Sequence, residues 1–353
     1  MKGNDAIAEG AIRAGCWAYF GYPITPQNEI IAYMALHMLE RGRIFIQAES
    51  EVAAINMVYG ASCAGIRAMT SSSSPGISLK QEGISYCAGA DVPCVIANVS
   101  RGGPGLGSIA PAQSDYFQST RGGGHGDYFC IVLAPKSVQE CADFTYQAFD
   151  LADKYRTPVI VLVDGMIGQL MEGVYLPREK SRGELPQRSW AVGNMADTAA
   201  SGGTVRPSRH ITSINLVPEE LEAKTRARFE RYETIKKTEV RFEESGCAGA
   251  DIILTAYGTS ARVCQGAKKL AEKNGIKVGY FRPITLWPFP YEALRKFCEG
   301  RPVLAVEMSL GQMVEDVRLA VLGSAPVHLL GHSGGVIPTE EEVLSEIRKI
   351  VKK

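Results

Sequence analysis

Gly21-Tyr-Pro-Ile-Thr-Pro26, followed by Ala48-Glu-Ser-Glu-Val-Ala-Ala54, is where this chain reveals most. The prolines flanking Ile24-Thr25 fix φ at two points and bias the residues before them away from helix. So stiff a turn presents the Thr25 hydroxyl at little further ordering cost when a ligand arrives. Glu51 then enters a run of small and apolar residues. Spacing alone leaves two readings open. One is an ordinary turn leading into a helix with a solvated first-turn carboxylate; the other is a ligand-holding turn with a functional acid.

Working outward, residues 4–16, 27–41, 50–65, 78–88 and 137–154 carry helical patterns, the last with Ser137 and Glu140 spaced as a capping box. Residues 43–47, 67–71, 92–100, 128–133 and 157–163 read as strands. This alternation predicts an α/β domain with a mainly parallel sheet. From Pro177 the text becomes polar and rich in glycine and proline, including Ser201-Gly-Gly-Thr and Arg206-Pro-Ser. Residues 218–244 read as one charged helix with Leu221, Phe229, Tyr232 and Ile235 on a partial apolar stripe. A second α/β unit begins near Ala250, with Thr339-Glu-Glu-Glu342 capping the final helix. The expected boundaries are 1–185, a linker and charged helix over 186–248, and 249–353.

At 353 residues the chain can hold two cores, and 45% hydrophobic with 22% charged residues describes an ordinary globular protein. Lys+Arg and Asp+Glu stand at 38 each, so nothing favours nucleic acid or an anionic membrane as partner. Apolar runs such as residues 158–163 are too short to span a bilayer, and no signal-peptide pattern follows Met1, so a cytoplasmic protein is expected. None of the nine cysteines forms a Cys-x-x-Cys pair. That argues for reduced thiols and against an iron–sulfur cluster or other metal held by this chain.

Val99-Ser-Arg101-Gly-Gly-Pro-Gly-Leu-Gly107 follows a buried strand, where open α/β sheets bind ligands. An arginine there can grip a carboxylate through two N–H groups, or else make a structural ion pair. Gly105-Leu-Gly-Ser-Ile-Ala110 imitates a dinucleotide fingerprint, but Asp127 precedes the next strand instead of following it. Asp164-Gly165 with Asn194 only faintly matches a Mg²⁺-diphosphate motif and is discounted. The Ser71 to Ser74 run has no identifiable base beside it and suits a polar loop lining a cleft. His125, in Gly122-Gly-Gly-His-Gly-Asp127, is read as bonding backbone in preference to titrating in a site.

The proline turn, Ser50-Glu51-Val-Ala-Ala, the Arg101 glycine loop and the second α/β unit together resemble the α (pyrimidine-domain) subunit of thiamine-diphosphate 2-oxoacid:ferredoxin oxidoreductases. The Gly122-Gly-Gly-His-Gly-Asp127 wording is similar to the branched-chain 2-oxoisovalerate members. The resemblance implies a pyrimidine-type domain followed by a transketolase C-terminal-like domain. It makes Glu51 the acid that activates the cofactor pyrimidine, with Glu49 as the nearby alternative. Pro23, Ile24 and Ser74 would line the cofactor, while Thr25 and Arg101 would take the 2-oxoacid carboxylate. A diphosphate-domain (β) subunit would complete the thiamine diphosphate site with Mg²⁺. Gamma and ferredoxin-like delta subunits, with iron–sulfur clusters among them, would pass electrons to ferredoxin, and coenzyme A would receive the acyl group. Between Gly102 and Thr120 the loop holds no Lys or Arg, and its Pro104, Leu106, Ile109 and Pro111 suit an aliphatic substrate, with Arg121 just beyond. A pyruvate or 2-oxoglutarate enzyme, a transketolase-like thiamine enzyme and a non-catalytic scaffold subunit remain alternatives.

Overall fold

In the computed structural model, which describes residues 1–192 and 209–351, two sheets carry the chain. Asn194, Ser201-Gly-Gly-Thr and Arg206-Pro-Ser lie outside the described residues. The first sheet has seven strands in the order β10-β5-β6-β4-β3-β1-β2. They are β1 (Ala18–Gly21), β2 (Ile44–Gln47), β3 (Ala68–Ser72), β4 (Cys94–Ser100), β5 (Ile131–Leu133), β6 (Pro158–Asp164) and β10 (Thr285–Trp287). All run parallel except β10, which pairs antiparallel with β5. Every residue of β3, β4 and β6 is buried, as expected of strands covered by helices on both faces. The covering helices include α1 (Gly3–Arg13), α2 (Asn28–Glu40), α3 (Glu51–Cys63), α4 (Ser74–Gly89) and α6 (Val138–Tyr155), with short α5 (Tyr116–Thr120) and α7 (Gly165–Gln169) between. Ser137 caps α6 by accepting from the Glu140 amide at 3.2 Å, whereas the Glu140 carboxylate turns to the Lys136 amide, so the predicted box closes one residue early.

The charged helix α8 (Pro218–Thr238) stops sooner than its pattern suggested. Residues beyond it form β7 (Phe242–Ser245), which pairs antiparallel with β9 (Val278–Pro283). The cause is tertiary. Phe242 stacks on Phe281 with centroids 5.3 Å apart, and Glu243 pairs with the buried Arg282 at 3.1 Å. The second sheet is ordered β12-β11-β8-β9-β7, with β8 (Ile252–Thr255), β11 (Val303–Glu307) and β12 (Val327–Gly331). It packs with α9 (Gly258–Lys273), α10 (Tyr291–Cys298), α11 (Met313–Val321) and α12 (Glu340–Val351). Thr339 and Glu342 close the expected box on α12, at 2.8 and 3.2 Å.

The second sheet is joined to the first sheet's core on one side, where Ile253, Phe281, Val303 and Ala305 enter that cluster, while Ile252, Leu254, Leu304 and Val306 belong to a core of its own. Gln113, almost fully buried, joins them again through polar contacts. It donates to the Tyr257 carbonyl at 2.7 Å and accepts from Ser260 at 2.9 Å and the Met308 amide at 3.0 Å. Among the described residues no helix is long and apolar enough to cross a membrane.

Candidate active site

Neighbouring strands β4, β3, β1 and β2 each deliver one part of the site from their carboxyl ends. β1 feeds the turn holding Pro23, Ile24 and Thr25, β2 leads to Glu51, β3 to Ser74 and β4 to Arg101. Parallel strands with helical crossovers bring such residues to one edge of the sheet.

The turn is held from its inner side. Buried Gln27 donates to the Tyr22 carbonyl at 3.2 Å and accepts the Ser71 hydroxyl, which also meets Tyr19. Asn4 and Gln169 donate to the Pro26 carbonyl at 2.7 and 3.1 Å. Its outer side is open, with Pro23 and Thr25 exposed and Ile24 half-buried.

Glu51 opens α3, whose cap is the Ser50 hydroxyl accepting from the Ala53 amide at 3.1 Å. Glu51 is 6% exposed, whereas Glu49 lies in solvent. Its carboxyl faces Gly76 on α4. A Cβ on Gly76 would stand 2.5 Å from Glu51 Oε1 and 2.1 Å from Ser72 Oγ, so only glycine leaves that space free. The hydroxyls of Ser72 and Ser73 are buried without a hydrogen-bond partner among the described residues. One turn further along α4, Lys80 is fully buried with its Nζ 3.5 Å from the main-chain carbonyl of Glu51. Burial pushes the Lys80 amine down to about 8, against the opposing pull of the Glu51 charge.

Arg101 is buried and donates from Nη1 to the Thr25 carbonyl and from Nη2 to the Leu106 carbonyl, each at 2.9 Å. Its Nε has no partner, and it makes no ion pair among the described residues. The structural ion pair considered for this residue is therefore not what holds it. Its main-chain amide donates to Ser74 Oγ at 2.9 Å, and Ser74 donates to Asp115 at 2.6 Å. Asn98 donates to the same Asp115 oxygen at 2.9 Å. Burial pushes the Asp115 carboxyl above its usual range, while these hydrogen bonds and the Arg101 charge pull it back.

The structure thus ties Thr25, Ser74 and Arg101 together and sets Glu51 against the first turns of α4. Sequence reasoning missed Gly76, Lys80 and Asp115. Lys80 did carry a signal: with Ile77, Gln81 and Ile84 it falls at helical spacing on the inward face of α4. Asp115 and Gly76 carried none. His125 is exposed, and its carbonyl accepts from Ser85 at 2.7 Å. Asp164 caps α7 and accepts from the Thr259 amide and hydroxyl at 2.8 and 2.6 Å, a structural use of the discounted motif. No group of three or more His, Cys, Asp or Glu is arranged for a metal among the described residues.

This edge-built site on a parallel sheet, followed by a second α/β unit, defines a pyrimidine-type thiamine-diphosphate domain joined to a transketolase C-terminal-like domain. Residues 9–243 match the family described as pyruvate flavodoxin/ferredoxin oxidoreductase, thiamine diphosphate-binding, and residues 250–343 match pyruvate:ferredoxin oxidoreductase core domain II. The chain is 50% identical to the ketoisovalerate oxidoreductase subunit VorB of Methanothermobacter marburgensis, across 99% of this chain and 97% of that one. It superposes with TM-score 0.84 and 29% identity on the 2-oxoglutarate:ferredoxin oxidoreductase of Magnetococcus marinus solved with 2-oxoglutarate, coenzyme A and succinyl-CoA, covering 100% of this chain and 65% of that one. A split-gene transketolase, an inactive beta4 tetramer, shares the fold at TM-score 0.60 and 13% identity, over 99% of this chain and 96% of its own. The chain belongs to the pyruvate flavodoxin/ferredoxin oxidoreductase family, as a subunit of a thiamine-diphosphate-dependent 2-oxoacid:ferredoxin oxidoreductase. The residues present fit the pyrimidine half of that cofactor: a buried carboxyl, with the Ser72 and Ser73 hydroxyls buried near it and without a hydrogen-bond partner among the described residues.

Proposed function

We propose that this chain binds the pyrimidine of thiamine diphosphate through Glu51 and the carboxylate of a branched-chain 2-oxoacid through Arg101 and Thr25. Within a hetero-oligomer it converts that acid and coenzyme A to acyl-CoA and CO₂, with reduction of ferredoxin. When bound, the cofactor supplies the carbon nucleophile for the 2-oxo group. Glu51 would hold and return a proton for the pyrimidine, and Pro23, Ile24 and Ser74 would line it. The observation that carries the reading is Arg101: a buried guanidinium anchored by two carbonyls, with no direct ion pair among the described residues, at the edge where Thr25 and Ser74 meet it. A substrate carboxylate would satisfy it.

The preference for an aliphatic side chain rests on the loop beside Arg101. Leu106 and Ile109 stand 80% and 67% exposed there. Arg121, the nearest cation in sequence that could answer a second carboxylate, is engaged by Asp316 at 2.8 Å. The 50% identity to the ketoisovalerate subunit of Methanothermobacter marburgensis, against 36% to the 2-oxoglutarate synthase subunit KorA of the same organism, points the same way.

A partner subunit with the diphosphate domain would complete the site and hold Mg²⁺. Gamma and delta chains would carry the iron–sulfur clusters. Exposed Tyr22, Val52 and Leu79, close in sequence to site residues, supply apolar surface for such a partner. Nine unpaired thiols fit a cytoplasmic setting. In the reconstituted complex, kcat/KM for 2-oxoisovalerate should exceed that for 2-oxoglutarate, with pyruvate retained at some level because a pocket discriminates by only about 10–200-fold per methylene. Preference for 2-oxoglutarate would overturn the substrate assignment.

A further inference from the structure

Lys80 has no ordinary reason to be where it is. It is among the largest fully buried side chains of the molecule, on the face of α4 that otherwise carries Ile77 and Ile84. Its one hydrogen bond, to the Glu51 carbonyl, is long at 3.5 Å, and no carboxylate lies within ion-pair distance among the described residues. A methionine would fill the same space without placing an amine in the core, where an incompletely paired charge is costly. A group so placed is explained by what it acts on, and its charged neighbour is Glu51.

We infer that Lys80 is a positioning residue for the thiamine-activating carboxyl, its buried amine holding the start of α3 and setting the charge that Glu51 feels from beneath. The inference rests on the reading of Glu51 given above. The geometry separates two surfaces of that acid. The carboxyl packs against Gly76, and the main-chain carbonyl faces the amine. The amine therefore acts through the field and the helix start without competing for the cofactor's ring nitrogen. Several other titratable residues sit on elements packed against α4: Tyr59 and Cys63 on α3, Cys94 on β4, Asp164 on β6, and His125 in the loop that packs on it. Of all these residues, Glu51 is the one whose charge reaches Lys80. A fixed cation beside the acid contributes to the field in which its proton moves. Loss of that cation should slow the proton exchange on which activation depends.

The test is deuterium exchange at C2 of thiamine diphosphate bound to the assembled complex without 2-oxoacid, read by NMR beside calorimetric cofactor affinity. Lys80→Met should slow exchange by about tenfold or more while cofactor Kd changes by less than about threefold. Wild-type exchange should fall as pH rises past about 8, where Lys80 loses its charge, and the variant should lack that limb. Unchanged exchange in Lys80→Met, or a loss matched by an equal loss of cofactor affinity with the wild-type pH profile kept, would overturn the inference. If the variant does not assemble, the wild-type profile decides, and a profile without the alkaline fall sinks it. Glu51→Gln separates the two readings. Exchange intact in Glu51→Gln removes the role given to Glu51 itself, whereas exchange lost there but intact in Lys80→Met removes only the role given to Lys80.

Discussion

Arg101 gives two guanidinium N–H groups to main-chain carbonyls and leaves Nε free, so its plane is fixed before any ligand arrives. Lysine keeps the charge but cannot hold both carbonyls and a carboxylate in one plane. Arg101→Lys should raise KM for the 2-oxoacid by about 10–100-fold, the equivalent of one charged hydrogen bond, with KM for coenzyme A nearly unchanged. Equal effects on both substrates would place Arg101 elsewhere. The buried amine of Lys80 makes a different prediction, about stability. Its folded pKa, about 8, lies below its ordinary 10.5, so the unfolded chain binds more protons between those values and stability rises across that window. Below pH 8 the charged, buried amine costs the fold ~3 kcal/mol, by the linkage of pKa shift to free energy. Lys80→Met should therefore melt at higher temperature than wild type at pH 7, and the difference should shrink as pH approaches 10.5. A lower melting temperature at pH 7 would mean the amine stabilises its site.

At the scale of elements, α3 and α4 meet so closely that one hydrogen on Gly76 is all the space permits. Alanine there would gain ~1 kcal/mol of helix propensity and lose about 1–3 kcal/mol to overpacking, a net loss of at most about 2 kcal/mol. The side chains that must yield are Ser72, whose Oγ stands 2.1 Å from the added carbon, and Glu51, whose Oε1 stands 2.5 Å from it. Gly76→Ala should thus lose most turnover while its melting temperature stays within a few degrees of wild type, as kinetics and calorimetry on one preparation would show. A variant with normal turnover would mean that the carboxyl can work from another position. β2 and β1 show the same dependence on neighbours. β2 was legible as a strand from residues 43–47, but β1, four residues between helix and turn, was not, although it pairs on both sides and aims the Thr25 turn.

For the whole molecule, the site is an open edge, and the chain has neither tight cysteine pairs nor a metal-ready cluster among its described residues. Purified alone, it should be colourless and bind thiamine diphosphate weakly, gaining affinity when the diphosphate-domain subunit is added; iron at stoichiometric level in the isolated chain would contradict this. The sequence by itself determined the α/β alternation of both units and the residues worth watching at the strand ends. Prolines, glycines and a capping serine act on their immediate neighbours and so drew attention to Glu51, Thr25 and Arg101, while the roles proposed for them came from the family resemblance. Tertiary structure alone decided that β7 leaves the charged helix for the second sheet, and that β10 returns to the first. It also placed Lys80 beneath Glu51 and Asp115 behind Ser74. Strand partners and burial are set by residues far apart in the chain, so nothing local announces them: Phe242 becomes a strand because Phe281 is there to meet it, and Lys80 becomes a buried cation because α3 closes over it.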